Sequence, residues 1–180
     1  MIAGTDRELK MMDRASAEFA RKALAPDRQA NDTYPFGPVF DDALKNAHDL
    51  DFFHVILPES CAGLGQSIAA LGVVLYNVCR EDSSLGGIIF TNAAAQELML
   101  AAGAQDRLAA MIESADTVYD ALLAAPVFNH PADMENGVSA RPSDDGFRLS
   151  GQAAYVVAGN LARHAVIFAK TADEKEGALF

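Results

Sequence analysis

Cysteine, basic charge and long apolar runs are all scarce in this chain, and each scarcity removes a class of function. Cys61 and Cys79 are its only cysteines. They form neither a CxxC pair nor a disulfide framework, so both read as small buried hydrophobes held as thiols in a reducing compartment. Lysine and arginine total 14 against 25 acidic residues, a net charge of −11. An acidic surface of that kind repels nucleic acid and anionic membrane, so neither is an expected partner. No apolar run approaches the roughly 20 residues of a membrane span, because charge, Asn or Gly interrupts each one. The opening "MIAGTDRELKMMDRASAEF" has acids where a signal peptide needs its apolar core, which makes the cytoplasm the expected location. His48, His54 and His164 each lack a second ligand at metal spacing, so no metal site is expected. Internal repeats and low-complexity segments are missing too.

What remains is a globular composition. The 180 residues are 51% hydrophobic and 22% charged, and a chain of this length can bury roughly 70% of its unfolded surface. The first two thirds carry helical spacing. "TDRELKMMDRASAEFARKALAP" opens with Thr5 and Glu8 at capping-box separation, sets Leu9, Met12, Phe19, Ala20, Ala23 and Leu24 near one face, and stops before Pro26. Pro38 suits the first position of a second helix bearing Val39, Phe40, Ala43, Leu44 and Ala47. "SIAALGVVLYNVCRED" is apolar around most of its surface and is expected to be central. "SSLGGIIFTNAAAQELMLAAG" ends on Gly103, a left-handed stop, and "AQDRLAAMIES" is a short fifth helix.

Near Asp116 the pattern changes. "DTVYDALLAAPVF", "MENGVSARPSDDGFRLSGQAAYVVAG" and "ARHAVIFAKT" place β-branched and aromatic residues between turn signals, with "SDDG" (residues 143–146) the strongest hairpin turn. Helices followed by strands without alternation predict an α+β chain. Its expected division is an all-α helical-bundle domain over residues 1–115 and a truncated antiparallel β domain over 116–180. Three or four strands alone would leave edges and one apolar face uncovered, so further chain or another subunit is expected to cover them.

"LPESCAGLGQS" (residues 57–67) has the glycines of a phosphate-gripping loop but not its chemistry. Gln66 and Ser67 stand where such a loop ends in Lys-Ser/Thr, and Ile68 stands where a dinucleotide fingerprint needs glycine. The stretch reads as a turn: Pro58 ends what precedes it, Gly63 and Gly65 allow a sharp reversal, and Ser67 caps the next helix. Ser60 is not a nucleophile elbow, since "ESCAG" lacks the flanking glycines. Arg80, Glu81 and Asp82 read as a solvated helix end, and Asp144–Asp145 as turn chemistry.

Taken together, four stretches carry a resemblance. "DFFHVILPESCAGLGQS", "VCREDSSLGG", "AAGAQDRLAAMI" and "VSARPSDDGFRLSGQAAYVVAGNLARHAVIFAKT" resemble, in order, segments of the acyl-CoA dehydrogenase family, and the likeness covers essentially the whole chain. It implies an N-terminal helical domain followed by the start of a middle β domain. It also implies FAD, an acyl-CoA thioester substrate, and a glutamate base supplied from beyond the middle domain, so no catalytic residue is assigned here. The electron-transferring flavoprotein is the implied acceptor, and a homo-oligomer, or a hetero-oligomer with a fuller dehydrogenase chain, the implied assembly.

The same resemblance places the flavin-contacting positions at Leu123, Ala124, Tyr155, Val156 and Val157. The family's Thr-Glu-Pro becomes Ala124, Ala125 and Pro126. Its Gly-Ser-Asp falls roughly on Pro131, Ala132 and Asp133, and its aromatic-Ile-Thr on Tyr155, Val156 and Val157. Three hydroxyls are thereby missing, each worth about 1 kcal/mol of cofactor affinity. Tyr155 is either a flavin-facing ring or a strand residue with its ring in the core. His130 lies in the loop that would face the cleft and reads chiefly as a surface residue. Besides an FAD-dependent acyl-CoA dehydrogenase component, the residues admit three other readings. One is a flavin-deficient subunit that assembles with an intact dehydrogenase. Another is a flavin monooxygenase or nitroalkane-oxidase type of the same superfamily, and the last is a helical interaction module.

Overall fold

The computed structural model describes residues 6–31, 33, 35, 38–129, 137–144, 146–171 and 177–179. Thr5, His130, Pro131, Ala132, Asp133 and Asp145 lie outside the described residues, and with them the first capping box, the loop histidine and the Gly-Ser-Asp counterpart. Helices come first: α1 (Asp6–Phe19), α2 (Arg28–Asn31), α3 (Pro38–Asp49), α4 (Ile68–Cys79), α5 (Ser83–Ala101), α6 (Gln105–Glu113) and α7 (Val118–Ala121). Strands follow: β1 (Leu123–Ala124), β2 (Val138–Ser143), β3 (Gly146–Gly151), β4 (His164–Ala165), β5 (Phe168–Thr171) and β6 (Gly177–Leu179). The chain is α+β in the expected order. Among the described residues no helix is long and apolar enough to cross a membrane.

The helix boundaries follow from local chemistry. Ser67 Oγ accepts from Ala70 N at 3.3 Å and Asp82 Oδ1 from Leu85 N at 2.9 Å, which starts α4 and α5. Gly103 adopts φ +73° just beyond α5. The first helix departs from the single run that its spacing predicts. After Phe19 it widens into a π turn over Ala20–Leu24 and then tightens into one 3₁₀ turn, Ala25–Asp27. The wide turn allows Phe19, Ala20 and Leu24 all to be buried.

One apolar cluster fills the space among α1, α3, α4 and α5, with Phe40, Phe52, Phe53, Leu44, Val74, Val78 and Ile89 inside it. Phe19 and Phe52 meet edge to face at 5.4 Å between centroids. A polar clasp joins α1 to α4: Asn77 Nδ2 donates to Asp13 Oδ1 and to Ser16 Oγ, each at 2.9 Å. A second cluster, Leu57, Cys61, Ala95, Leu108, Leu123, Ala125 and Val166, seats the strands on α5 and α6.

The turn over residues 57–67 spends its backbone donors on itself. Gly63 N donates to Pro58 O at 3.1 Å, Leu64 N to His54 O at 3.0 Å, Gly65 N to Leu57 O at 2.8 Å and Gln66 N to Val55 O at 2.9 Å. No fan of free N–H groups remains there to hold a phosphate. A Cβ at Gly63 would overlap the Leu57 carbonyl, and Gly65 sits at φ +59°, so both glycines are demanded by close approach or conformation.

Four further expectations change. Asp116 onward was expected to be extended, yet Thr117 and Asp120 form a capping box and wind α7 before β1 begins. The antiparallel pairings are β2–β3 and β5–β6, while β1–β4 and β2–β5 pair parallel, because long excursions bring those strands back in the same direction. Cys61 is buried, but Cys79, at the end of α4, is exposed. His48 and His54 are neighbours, with ring centroids 5.8 Å apart. No cluster of three or more potential metal ligands occurs among the described residues.

Two outcomes follow from these contacts. Gly63→Ala will lower unfolding free energy by about 3 kcal/mol, because neither the turn nor the carbonyl can give way. Gly72→Ala on α4, where a Cβ meets open space, will raise it by about 0.5–1 kcal/mol; chemical denaturation of the two variants checks both. His54 is 5% exposed and its Nε2 has no partner among the described residues. Burial first, then the neighbouring His48, pushes its pKa down to about 4, against a smaller opposing pull from Asp51. The folded chain therefore binds fewer protons than the unfolded one between the ordinary imidazole value of 6.5 and about 4. Stability is full above that window and falls as the pH drops through it, by roughly 3 kcal/mol in total; His54→Leu will flatten this slope in urea titrations run from pH 7.5 to 4.

Candidate functional site

The strand tract is indexed on α5 by one amide. Asn92 is fully buried; its Nδ2 donates to Phe53 O at 2.9 Å and its Oδ1 accepts from Leu123 N at 2.8 Å. β1 is thus fixed relative to both α5 and the loop that follows α3. Val166 N then donates to Ala124 O at 2.8 Å, continuing the register Leu123↔His164 and Ala124↔Ala165. Ala125 and Val157 exchange both backbone bonds, at 3.3 and 3.2 Å.

These bonds bring the two predicted segments together. Leu123 and Ala124 are each 2% exposed, with side chains inside the apolar clusters. Val156 and Val157 are half-buried and pack on the helical core. Tyr155 departs from the second of its two readings, a strand residue with its ring in the core. It lies outside the strands at φ +50° and is 85% exposed, so its ring stands free of the described residues. The reason is local: the left-handed residue turns the chain between β3 and the Ala125 bridge, and that turn aims the side chain outward.

The loops on either side are tied down as well. Asn129 Nδ2 donates to Ala154 O at 2.6 Å. Arg163 N donates to Tyr119 O at 3.1 Å, and Arg163 Nε pairs with Asp120 Oδ1 at 2.9 Å. The Asp120 carboxyl is held below its usual range, first by the hydrogen bond from Thr117. Tyr119 OH donates to Asp41 Oδ1 at 2.6 Å, and that bond pushes the phenol up to about 12. The strand tract is therefore anchored to α3 and α7 as well as α5.

Sequence reasoning missed the groove beside this tract. Phe90, Ala94, Glu97, Leu98 and Ala101 form one stripe along α5, facing Ala125, Pro126, Val127, Val166 and Phe168 across a space of about 550 Å³. The spacing of that stripe was visible, but α5 is apolar around most of its circumference, so no face stood out. Among the described residues, Glu97 is the one charged residue lining the groove. A smaller cavity of about 260 Å³ lies behind it, between Asn129, Gly137, Gln152 and Ala154.

An isoalloxazine held here would need donors for N1, N5 and its two carbonyls and an acceptor for its N3–H. The side chains of Leu123, Ala124, Val156 and Val157 offer none. The N–H groups of Leu123, Ala125 and Val157 are already committed to Asn92 and to each other. Asn129 Oδ1, a buried polar atom without a partner among the described residues, is an acceptor and would serve only the N3–H. The tract does not fit a flavin gripped through its own polar groups.

A helical half, a strand tract on its longest helix and an apolar groove between them define an acyl-CoA dehydrogenase type of architecture. The chain belongs to the acyl-CoA dehydrogenase family: the model of the acyl-CoA dehydrogenase N-terminal domain matches residues 6–113. Members of this family use FAD. Benzylmalonyl-CoA dehydrogenase of Aromatoleum aromaticum is 26% identical over 182 residues, covering 98% of this chain and 47% of that protein. The chain therefore spans about half the length of that curated relative. Butyryl-CoA dehydrogenase from Megasphaera elsdenii superposes with a TM-score of 0.71 at 17% identity, over 100% of this chain and 50% of the other. A chain of the ChsE4-ChsE5 complex from Mycobacterium tuberculosis superposes at 0.65 and 18%, over 100% and 48%. At these identities the two structures establish the shared fold.

Asn92→Ala will cost about 3 kcal/mol, since it leaves a buried carbonyl and a buried N–H without partners. In hydrogen exchange the Leu123 amide will lose protection well before the amides of α4.

Proposed function

We propose that this chain is the thioester-binding component of an acyl-CoA dehydrogenase assembly that removes hydrogens from the α and β carbons of an acyl-CoA thioester. The observation that carries this reading is the apolar groove between α5 and the β1–β5 tract. Such a space takes a hydrocarbon acyl group, excludes water around it, and lies beside the Ala125–Val157 bridge. Phe90, Ala94, Leu98 and Ala101 hold the acyl tail from one side, and Val127, Val166 and Phe168 from the other. The base that takes the α-proton lies outside these residues, in further chain or in a partner subunit. The assembly works in the cytoplasm and passes its electrons to an electron-transferring flavoprotein.

One observation favours a flavin-deficient form of this reading. The three family hydroxyl positions carry no donor, and the nearby N–H groups of Leu123, Ala125 and Val157 are spent. FAD is therefore held by residues of another chain or segment, with this chain supplying the acyl groove and an outer wall that carries the free Tyr155 ring. A like fold in a two-component complex supports such a pairing.

Calorimetric titration of the purified chain with butyryl-CoA and, separately, with FAD tests both parts. Thioester binding without retention of yellow flavin is the expected result. Stoichiometric FAD that bleaches with butyryl-CoA would overturn the flavin-deficient form, and failure to bind any thioester would overturn the groove assignment.

A further inference from the structure

Phe90, in the lining of the groove, and Phe128 stack with centroids 5.6 Å apart and ring planes 28° from parallel. Phe90 comes from α5 and Phe128 from the turn over residues 127–129, so two independent elements present one aromatic pair. Both rings stay open: Phe90 is 40% exposed and Phe128 62%. Of the two, Phe90 lines the groove, and Phe128 stacks on it. Beyond Phe90 the α5 stripe runs through Ala94, Leu98 and Ala101. An open ring in an apolar lining presents a flat face, and a flat group stacks on it better than a coiled alkyl chain does. Glu97, the single charge in the lining among the described residues, disfavours an acyl tail that ends in a carboxylate.

We propose that the acyl group taken by this groove is aromatic and uncharged, recognised by stacking on Phe90, with Phe128 as a positioning residue that holds the Phe90 ring in place. The proposal rests on the groove being the acyl site. The energetic content is the part of an aromatic pair that exceeds plain area burial, which corresponds to about fivefold in affinity. A saturated ring of the same size gains the area but not the stacking.

The test compares 3-phenylpropanoyl-CoA with 3-cyclohexylpropanoyl-CoA by calorimetric titration of the full chain. The phenyl thioester is expected to bind about fivefold more tightly. Phe90→Leu keeps apolar bulk and removes the ring; it will abolish the preference, bringing the two thioesters to equal affinity. Phe128→Leu will reduce the preference in the same direction, a change in ratio that a general loss of stability does not produce. Equal binding of the two thioesters, or a preference that survives Phe90→Leu, overturns the proposal and leaves the acyl groove standing. A preference that survives Phe128→Leu alone removes that residue's positioning role. Failure of both thioesters to bind removes the groove assignment and this proposal together.

Discussion

The amide of Asn92 is the joint on which the arrangement turns. Its two halves satisfy the carbonyl of Phe53 and the N–H of Leu123, two buried backbone groups that belong to segments seventy residues apart in the chain (123 − 53). Neither group has access to water, and each would cost about 1–3 kcal/mol if stranded. Side chains able to donate and accept at once in that position are few, and an amide is the smallest that reaches both. With Leu123 fixed, Ala124 receives Val166, Ala125 receives Val157, and the groove acquires its far wall. A helix surface alone would not make that groove.

Two neighbouring features show how the chain separates support from chemistry. The turn over residues 57–67 has the glycines of a ligand-gripping loop, but each N–H along it from Gly63 to Gln66 closes on a carbonyl of residues 54–58. It is a brace that delivers α4 at a fixed angle. The strand tract likewise spends its N–H groups on internal pairing, while its side chains are aliphatic. What it offers a ligand is shape and dryness more than hydrogen bonding. In a family whose members use FAD, a wall of that kind suits the hydrocarbon end of a substrate better than the polar edge of a flavin.

The helices were legible because each carries its own instructions. Ser67 caps as its position suggests, Pro38 opens α3, and Gly103 follows the end of α5, whereas Asp82, read as part of a solvated helix end, turns out to cap α5. The strands were less so. β1 and β4 are each two residues long and pair parallel, a geometry that depends on where distant segments end up rather than on alternation within them. Thr117 and Asp120 wound α7 from residues whose composition reads as extended, since a capping box outweighs weak β propensity. At the site, Leu123, Ala124, Tyr155, Val156 and Val157 came from family resemblance, and their adjacency is a tertiary fact. The outward aim of Tyr155 depends on a left-handed backbone that no tyrosine announces. Asn92 reads in sequence as one polar residue in an apolar helix, and only its two partners reveal its task.

The parallel pairing of β1 with β4 has a kinetic consequence. Helices α4 and α5 touch through residues close in sequence, and such contacts form quickly. The β1–β4 ladder must instead close a loop of about forty residues (164 − 124) that carries the whole β2–β3 hairpin. During synthesis the helical half can collapse while residues 164 and 165 are still inside the ribosome. The groove acquires its second wall only after they emerge, so a nascent chain passes through a stage in which α5 shows its alanine stripe to every chaperone and neighbouring polypeptide.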